Sequence, residues 1–248
     1  METRYFDIGA TPCKVSAPTG ITATRAIIAI HGFGGSKESP TIQALSRALC
    51  PQGIAVYCFD FPAHGKHPWG GEAFTVETCA DALLSVARYV RDAQFGQVGV
   101  FATSFGGYMA LHCMEGLADA LGDFALVLKA PAVKMADTCD QVILEGQRDQ
   151  LEKLGWVQLD YDRPLEVHRS YLDGLRAHDV CKPYGRPMLV IHGTEDAVVT
   201  PDHIADFMRQ NPRAELVQIP AADHEFKGEG QLDQVIEAAQ AYFARLFG

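Results

Sequence analysis

Apolar positions along the chain gather into short continuous runs rather than an alternating pattern. The runs Ala26–Ile30, Ile54–Phe59, Val98–Ala102, Phe124–Leu128, Met188–Ile191 and Glu215–Ile219 are rich in β-branched residues. Strands apolar on both sides fit a mostly parallel sheet covered by helices on both faces. Two further segments, Tyr5–Ile8 and Lys14–Ser16, flank Gly9-Ala10-Thr11-Pro12 and predict an antiparallel hairpin at the sheet edge. That brings the expected sheet to eight strands. Helical patterns fall between the runs, near 37–50, 74–93, 105–121, 201–210 and 230–246. In the last of these, Leu232, Val235, Ile236, Ala239, Tyr242, Phe243 and Leu246 share one helix face. Strand–helix repetition of this kind predicts an α/β fold with right-handed crossovers. One interval breaks the rhythm. From Pro131 to Pro183 the chain is far longer than an αβ loop and carries charge, Trp156 and Tyr161. Residues 131–183 are therefore expected to form an inserted cap or lid, with 1–130 and 184–248 as the core.

Candidate chemistry sits where the runs end. Val98-Gly99-Val100-Phe101-Ala102-Thr103 leads straight into Ser104-Phe105-Gly106-Gly107, a strand entering a helix with serine at the joint. A serine there occupies a sharp turn that lifts its hydroxyl above the sheet. Small residues two before and two after it let strand and helix pass closely; here they are Ala102, in place of the usual glycine, and Gly106. Taken alone, this turn leaves Ser104 equally open to a role as helix N-cap. Its context favours a nucleophile, which needs a base and an orienting carboxylate. Met188-Leu189-Val190-Ile191-His192-Gly193-Thr194-Glu195-Asp196 is a strand, a turn and an acid; Asp196 is preferred, and Glu195 is the competitor, expected to face solvent. Past the final strand, Ala222-Asp223-His224-Glu225 offers His224 as the base. The loop His31-Gly32-Phe33-Gly34-Gly35 follows a strand, and the amides of Phe33 and Phe105 are expected to form an oxyanion hole. His31 and His192 are read as loop braces, His64 as structural, Asp60 and Asp223 as local anchors.

With these segments in order, the chain resembles the α/β-hydrolase superfamily over nearly its whole length. His-Gly-Phe-Gly-Gly, Asp60-Phe61-Pro62-Ala63-His64-Gly65, Thr-Ser-Phe-Gly-Gly, His-Gly-Thr-Glu-Asp and Asp-His-Glu-Phe follow the family sequence. Leu128-Lys129-Ala130-Pro131-Ala132 and Tyr171-Leu172 resemble the serine aminopeptidase-like group and, within it, the small bacterial cinnamoyl (feruloyl) esterases. That resemblance implies an α/β-hydrolase fold and a carboxylesterase acting on a small-molecule ester. It also implies that Tyr171 meets a phenolic substrate and that Asp137 lies near the cap acid. A peptidase or amidase on the same residues, and a ligand-binding protein without turnover, remain the alternatives.

Composition narrows the partners. The 248 residues suit one domain with a modest insertion, and 48% hydrophobic with 21% charged residues is an ordinary globular balance. A net charge of −10 without Lys/Arg runs argues against nucleic acid and gives no pull towards anionic lipid. Gly32, Gly34 and Gly35 match neither dinucleotide- nor phosphate-loop spacing. Seven scattered cysteines without a Cys-x-x-Cys pair predict free thiols, no metal site and a reducing compartment. The N-terminus lacks the apolar segment of a signal peptide, and no stretch is apolar over the roughly 18 residues of a membrane span. A cytoplasmic protein needing no cofactor is expected, and a homodimer is left open.

Overall fold

The computed structural model describes residues 1–247. Its strands and helices run in the order β1 (Glu2–Ile8), β2 (Thr11–Ala17), β3 (Arg25–Ile30), α1 (Pro40–Leu49), β4 (Ile54–Phe59), α2 (Val76–Asp92) and β5 (Gln97–Thr103). There follow α3 (Phe105–His112), α4 (Met114–Leu121), β6 (Ala125–Lys129), α5 (Met135–Thr138), α6 (Arg148–Leu154), β7 (Trp156–Leu159), β8 (Leu165–His168) and α7 (Arg169–Ala177). The chain closes with β9 (Met188–Gly193), α8 (Pro201–Gln210), β10 (Ala214–Ile219) and α9 (Gln231–Phe247). Eight strands form one sheet in the order β1-β2-β4-β3-β5-β6-β9-β10. All neighbours are parallel except at β2, which runs antiparallel to both β1 and β4. The sheet expected from the sequence is thus present, with its edge hairpin. The turn is tighter than expected: Ile8 faces Thr11 across Gly9-Ala10, and Thr11 and Pro12 belong to β2. Gly9 takes φ 59°, the positive angle that the first residue of a two-residue hairpin turn requires.

Within the inner strands, successive side chains serve opposite faces although both faces are dry. The edge strands β1 and β10 are largely exposed, Leu216 and Val217 included, because each ends the sheet and little helix covers it. In β3, Ala26, Ile28 and Ile30 pack into the core shared with α2, α3, α4 and α8. Ile27 and Ala29 pack into the core shared with α1 and α9. Continuous apolar runs are the consequence, since each face is covered by helices. Helix starts are locally encoded. Thr75 and Thr78 form a capping box at α2, and Ser39 caps α1 just before Pro40.

Between β6 and β9 the chain leaves the sheet. It forms α5, a π-helical turn at Cys139–Ile143, α6, the antiparallel pair β7–β8 and α7. This excursion is tied down by Arg163, whose guanidinium donates to the carbonyls of His64, Gly65, His67 and Trp69 at 2.5–3.3 Å. It is also held by Gly71, where a Cβ would overlap Glu166 of β8. All seven cysteines are buried free thiols. Among the described residues, no helix is long and apolar enough to cross a membrane.

Candidate active site

Parallel strands that end at one rim bring their following loops together. β3, β5, β6, β9 and β10 all end there, followed respectively by the Gly32–Gly35 loop, Ser104, Ala130, the Asp196 turn and the His224 loop.

Ser104 joins β5 to α3 at φ 51°, ψ −115°, a backbone conformation that L side chains rarely adopt. Its N–H donates to the Lys129 carbonyl at 2.9 Å, and its own carbonyl accepts from Gly107, Tyr108 and Ala132. The turn is therefore over-determined by neighbours on β6 and α3. Tight packing adds to it. A Cβ on Gly106 would lie 2.5 Å from the His31 carbonyl oxygen and 2.9 Å from Ile30. Gly106→Ala is expected to push β3 and its loop away, costing about 1–3 kcal/mol of stability as other overpacked cores do. Urea unfolding of that variant at the wild-type midpoint would contradict this account of the elbow.

The structure brings the predicted trio into one hydrogen-bonded chain. His224 Nε2 lies 2.9 Å from Ser104 Oγ, and His224 Nδ1 lies 2.7 Å from Asp196 Oδ2. The other carboxylate oxygen, Oδ1, accepts the backbone N–H groups of Val198 and Val199 at 2.9 and 2.8 Å. A carboxylate only accepts, so the Nδ1 of His224 carries the proton and its Nε2 is free to accept from the serine hydroxyl. Asp196 is buried. Burial alone would raise its pKa, but the hydrogen bond from His224, with the Val199 N–H, holds it below the ordinary aspartate value. Glu195, the competing acid, is exposed. The two loops are pinned to each other: Glu195 N–H donates to Ala222 O at 3.0 Å, and Ala221 N–H donates to Thr194 Oγ1 at 2.8 Å. His192, also buried, has its Nε2 3.8 Å from Asp196 Oδ2.

Gly32 packs against Ser104, so the Gly32–Gly35 loop borders the serine; a Cβ on Gly32 would lie 3.3 Å from that of Ser104. His31 braces this loop. Its Nε2 accepts the Phe61 N–H at 3.1 Å, which leaves Nδ1–H to donate to Gly32 O at 2.7 Å. Burial keeps the imidazole neutral by lowering its pKa. Asp60 accepts from Lys37 N–H, the Lys37 ammonium and Lys66 N–H, tying the loops after β3 and β4 together. Asp223 accepts from Lys227 N–H within its own turn. Phe33 belongs to the loop that borders Ser104 and lines the same cavity, and Phe105 follows Ser104 directly. The amide of Phe105 opens α3, where no helical carbonyl precedes it.

A cavity of about 540 Å³ opens over Ser104 and His224. Phe33, Pro40, Met135, Val142, Ile143, Tyr161, Val198 and Leu232 give it an apolar wall, and Lys129 and Glu225 also border it. The excursion between β6 and β9 supplies five of its wall residues, counting Thr138 with Met135, Val142, Ile143 and Tyr161. Tyr161 was not anticipated as a site residue. Its ring lies directly on Gly34, where a Cβ would overlap it, and meets Phe33 edge-on with centroids 5.6 Å apart. Gly34 sits at φ 70° and needs glycine for both reasons.

The two residues expected to meet substrate lie elsewhere. Tyr171 is fully buried, stacked on Phe74 with centroids 4.2 Å apart, and contacts Phe33 and Phe105 from behind the cavity wall. Asp137 is exposed on α5 and borders a separate cleft with Lys134, Arg176 and Asp206. Neither borders the cavity above Ser104. The helical spacing of Tyr171, Leu172 and Leu175 already marks a core face.

Comparison with known proteins agrees with this architecture. A curated relative, the pimeloyl-[acyl-carrier protein] methyl ester esterase of Nitrosomonas europaea, is 24% identical over 80% of this chain and 88% of its own. Among solved structures, Est1E from Butyrivibrio proteoclasticus with ferulic acid bound superposes with a TM-score of 0.83 at 23% identity, covering 98% of each chain. A putative hydrolase from Agrobacterium vitis gives 0.81 at 19% identity over 97% of this chain and 98% of its own. The model of the alpha/beta hydrolase family matches residues 27–238, and the chain belongs to that family.

Proposed function

We propose that the protein is a serine carboxylesterase that cleaves a small acyl ester, hydroxycinnamoyl esters included, by a two-step acyl transfer. The observation that carries this reading is the unbroken Ser104–His224–Asp196 hydrogen-bond chain at the floor of an apolar cavity. His224 Nε2 takes the Ser104 proton as Oγ attacks the ester carbonyl, and Asp196 holds the imidazole tautomer and the charge that forms on it. The amides of Phe33 and Phe105 face the oxyanion of the tetrahedral intermediate. That intermediate collapses as the alcohol leaves with the proton from His224. Water, deprotonated by the same imidazole, then attacks the acyl-serine and restores the enzyme.

Residues 131–183 act in this reading as a cap whose Met135, Val142, Ile143 and Tyr161 shape the substrate cavity. Tyr171 serves as packing behind Phe33, and Asp137 has no substrate role. Two relatives lend support: one is an esterase by name, and the other holds ferulic acid. The seven free thiols suit a reducing compartment.

The test is a substrate panel. Purified protein is assayed with short-acyl and long-acyl p-nitrophenyl esters, methyl hydroxycinnamates and aminoacyl anilides, together with a fluorophosphonate probe. Ester turnover and labelling confined to Ser104 are expected. Faster cleavage of the anilides than of every ester would reassign the protein as an amidase. Failure of the probe to react would leave the site without an activated serine.

A further inference from the structure

Lysine is almost never fully buried without a carboxylate partner. Lys129 closes the apolar strand β6 and is only 2% exposed, yet among the described residues it forms no ion pair with an acid. Its ammonium donates to the carbonyl of His224 at 3.2 Å and sits 4.3 Å from the centroid of the Phe226 ring. Both contacts are made to the loop that carries the imidazole. The backbone of the same residue holds the other partner, because its carbonyl accepts the Ser104 N–H at 2.9 Å.

The histidine loop needs such a hold. Ala221 and Phe226, on either side of His224, both have positive φ, at 54° and 60°. A segment in that conformation persists only where its surroundings fix it. The Asp196 turn holds the start of this loop at Ala221 and Ala222, and the Lys129 side chain holds it at His224 itself.

We propose that Lys129 is a positioning residue that ties the backbone of the serine turn to the backbone of the histidine loop, and so sets the distance between the two reacting side chains. The inference rests on the serine-hydrolase reading above. The charge matters because a charge-assisted hydrogen bond is about twice as strong as a neutral one and because only an ammonium is drawn to the ring face. Around it, Asp223, His224 and Glu225 lie on the histidine loop, and Asp196 and His192 on the β9 side. Burial pulls the amine down to about 8, against the opposing pull of Asp196, Glu225 and Asp223.

Two opposite pH responses follow. As pH rises through about 8, the amine loses its proton in the folded protein and its grip on the loop weakens. Turnover should fall severalfold to a lower plateau. The unfolded chain keeps that proton up to the ordinary lysine value of 10.5, so between 8 and 10.5 it binds more protons than the folded state. The contribution of Lys129 to folded stability should therefore rise over that window while activity falls. The melting temperature of wild type should gain on that of a variant without the amine as pH rises, the buried thiols and tyrosines acting equally in both.

The experiment compares wild type with Lys129→Met, which keeps the length and loses the charge. A p-nitrophenyl ester is the substrate, with kcat and KM taken from pH 6 to 10 and melting followed at each pH. The variant should lose about 10- to 100-fold in kcat, the scale of a misplacement near 1 Å, with KM changed less than about twofold. It should lack the fall in activity above pH 8 and melt no lower than wild type at pH 7. Unchanged kcat, or a loss of kcat matched by a lower melting temperature, overturns the inference. Should the variant not fold, the wild-type profile decides: kcat flat from pH 7.5 to 10 overturns it, and a severalfold fall in kcat over that range while the protein stays fully folded supports it. Activity surviving in Ser104→Ala would instead defeat the underlying hydrolase reading, independently of Lys129.

Discussion

Replacing Ser104 by alanine is expected to lower kcat/KM for a p-nitrophenyl ester by about 10⁴-fold or more, the scale seen when a nucleophile of this type is removed. The substitution deletes only the hydroxyl. The Cβ that packs against Gly32 remains, as do the backbone bonds from Ser104 to Lys129, Gly107, Tyr108 and Ala132. Serine and alanine share the cost of φ 51°, so the strained turn is neither relieved nor worsened. The melting temperature should thus stay close to that of the wild type while fluorophosphonate labelling disappears. A folded Ser104→Ala protein with ordinary ester turnover would remove Ser104 as the nucleophile. A large fall in melting temperature would show instead that the hydroxyl holds the elbow together.

Much of this site could be read from residue order because each part has a local signature. A strand running into Ser-Phe-Gly-Gly, an acid after His-Gly and a histidine past the last strand are each set by a turn whose chemistry is contained in a few residues. The sheet was legible for a related reason: helices on both faces require strands that are apolar throughout, and β3 to β6 and β9 satisfy that. Elements whose cause is tertiary stayed hidden. The helix expected over 105–121 divides at Cys113, which has neither glycine nor proline to announce it. The β7–β8 pair has four residues per strand, too few for alternation to stand out, and its place depends on Arg163 meeting carbonyls about a hundred residues upstream. Tyr161 reached the cavity by the same route. Lys129 did leave a trace, as a charge ending an otherwise apolar strand, but its partner His224 is 95 residues away and only the fold brings them together.

Asp196→Asn is expected to be nearly as damaging as loss of the serine, about 10⁴-fold in kcat with little change in KM, although it changes no volume. The reason lies in how the carboxylate is shared. Oδ1 receives two backbone N–H groups, from Val198 and Val199, and Oδ2 receives His224 Nδ1–H. An asparagine must turn its single oxygen towards the two backbone donors, since an amide NH₂ facing them would leave three donors without an acceptor. Its NH₂ then faces His224 and forces Nδ1 to accept. The imidazole proton moves to Nε2, which points at Ser104 Oγ and can no longer take its proton. Geometry survives and the base is lost. Acid stability supplies an independent check. The folded-state pKa of Asp196 lies below its ordinary value, so its stabilising contribution is present above that value and fades as pH falls through the depressed one. The asparagine variant has no such proton to take up. Urea midpoints measured from pH 7 down to pH 3 should therefore fall less steeply for Asp196→Asn than for wild type. Equal slopes would mean that the aspartate is not held ionised by His224. Undiminished kcat would mean that the carboxylate does not set the imidazole tautomer.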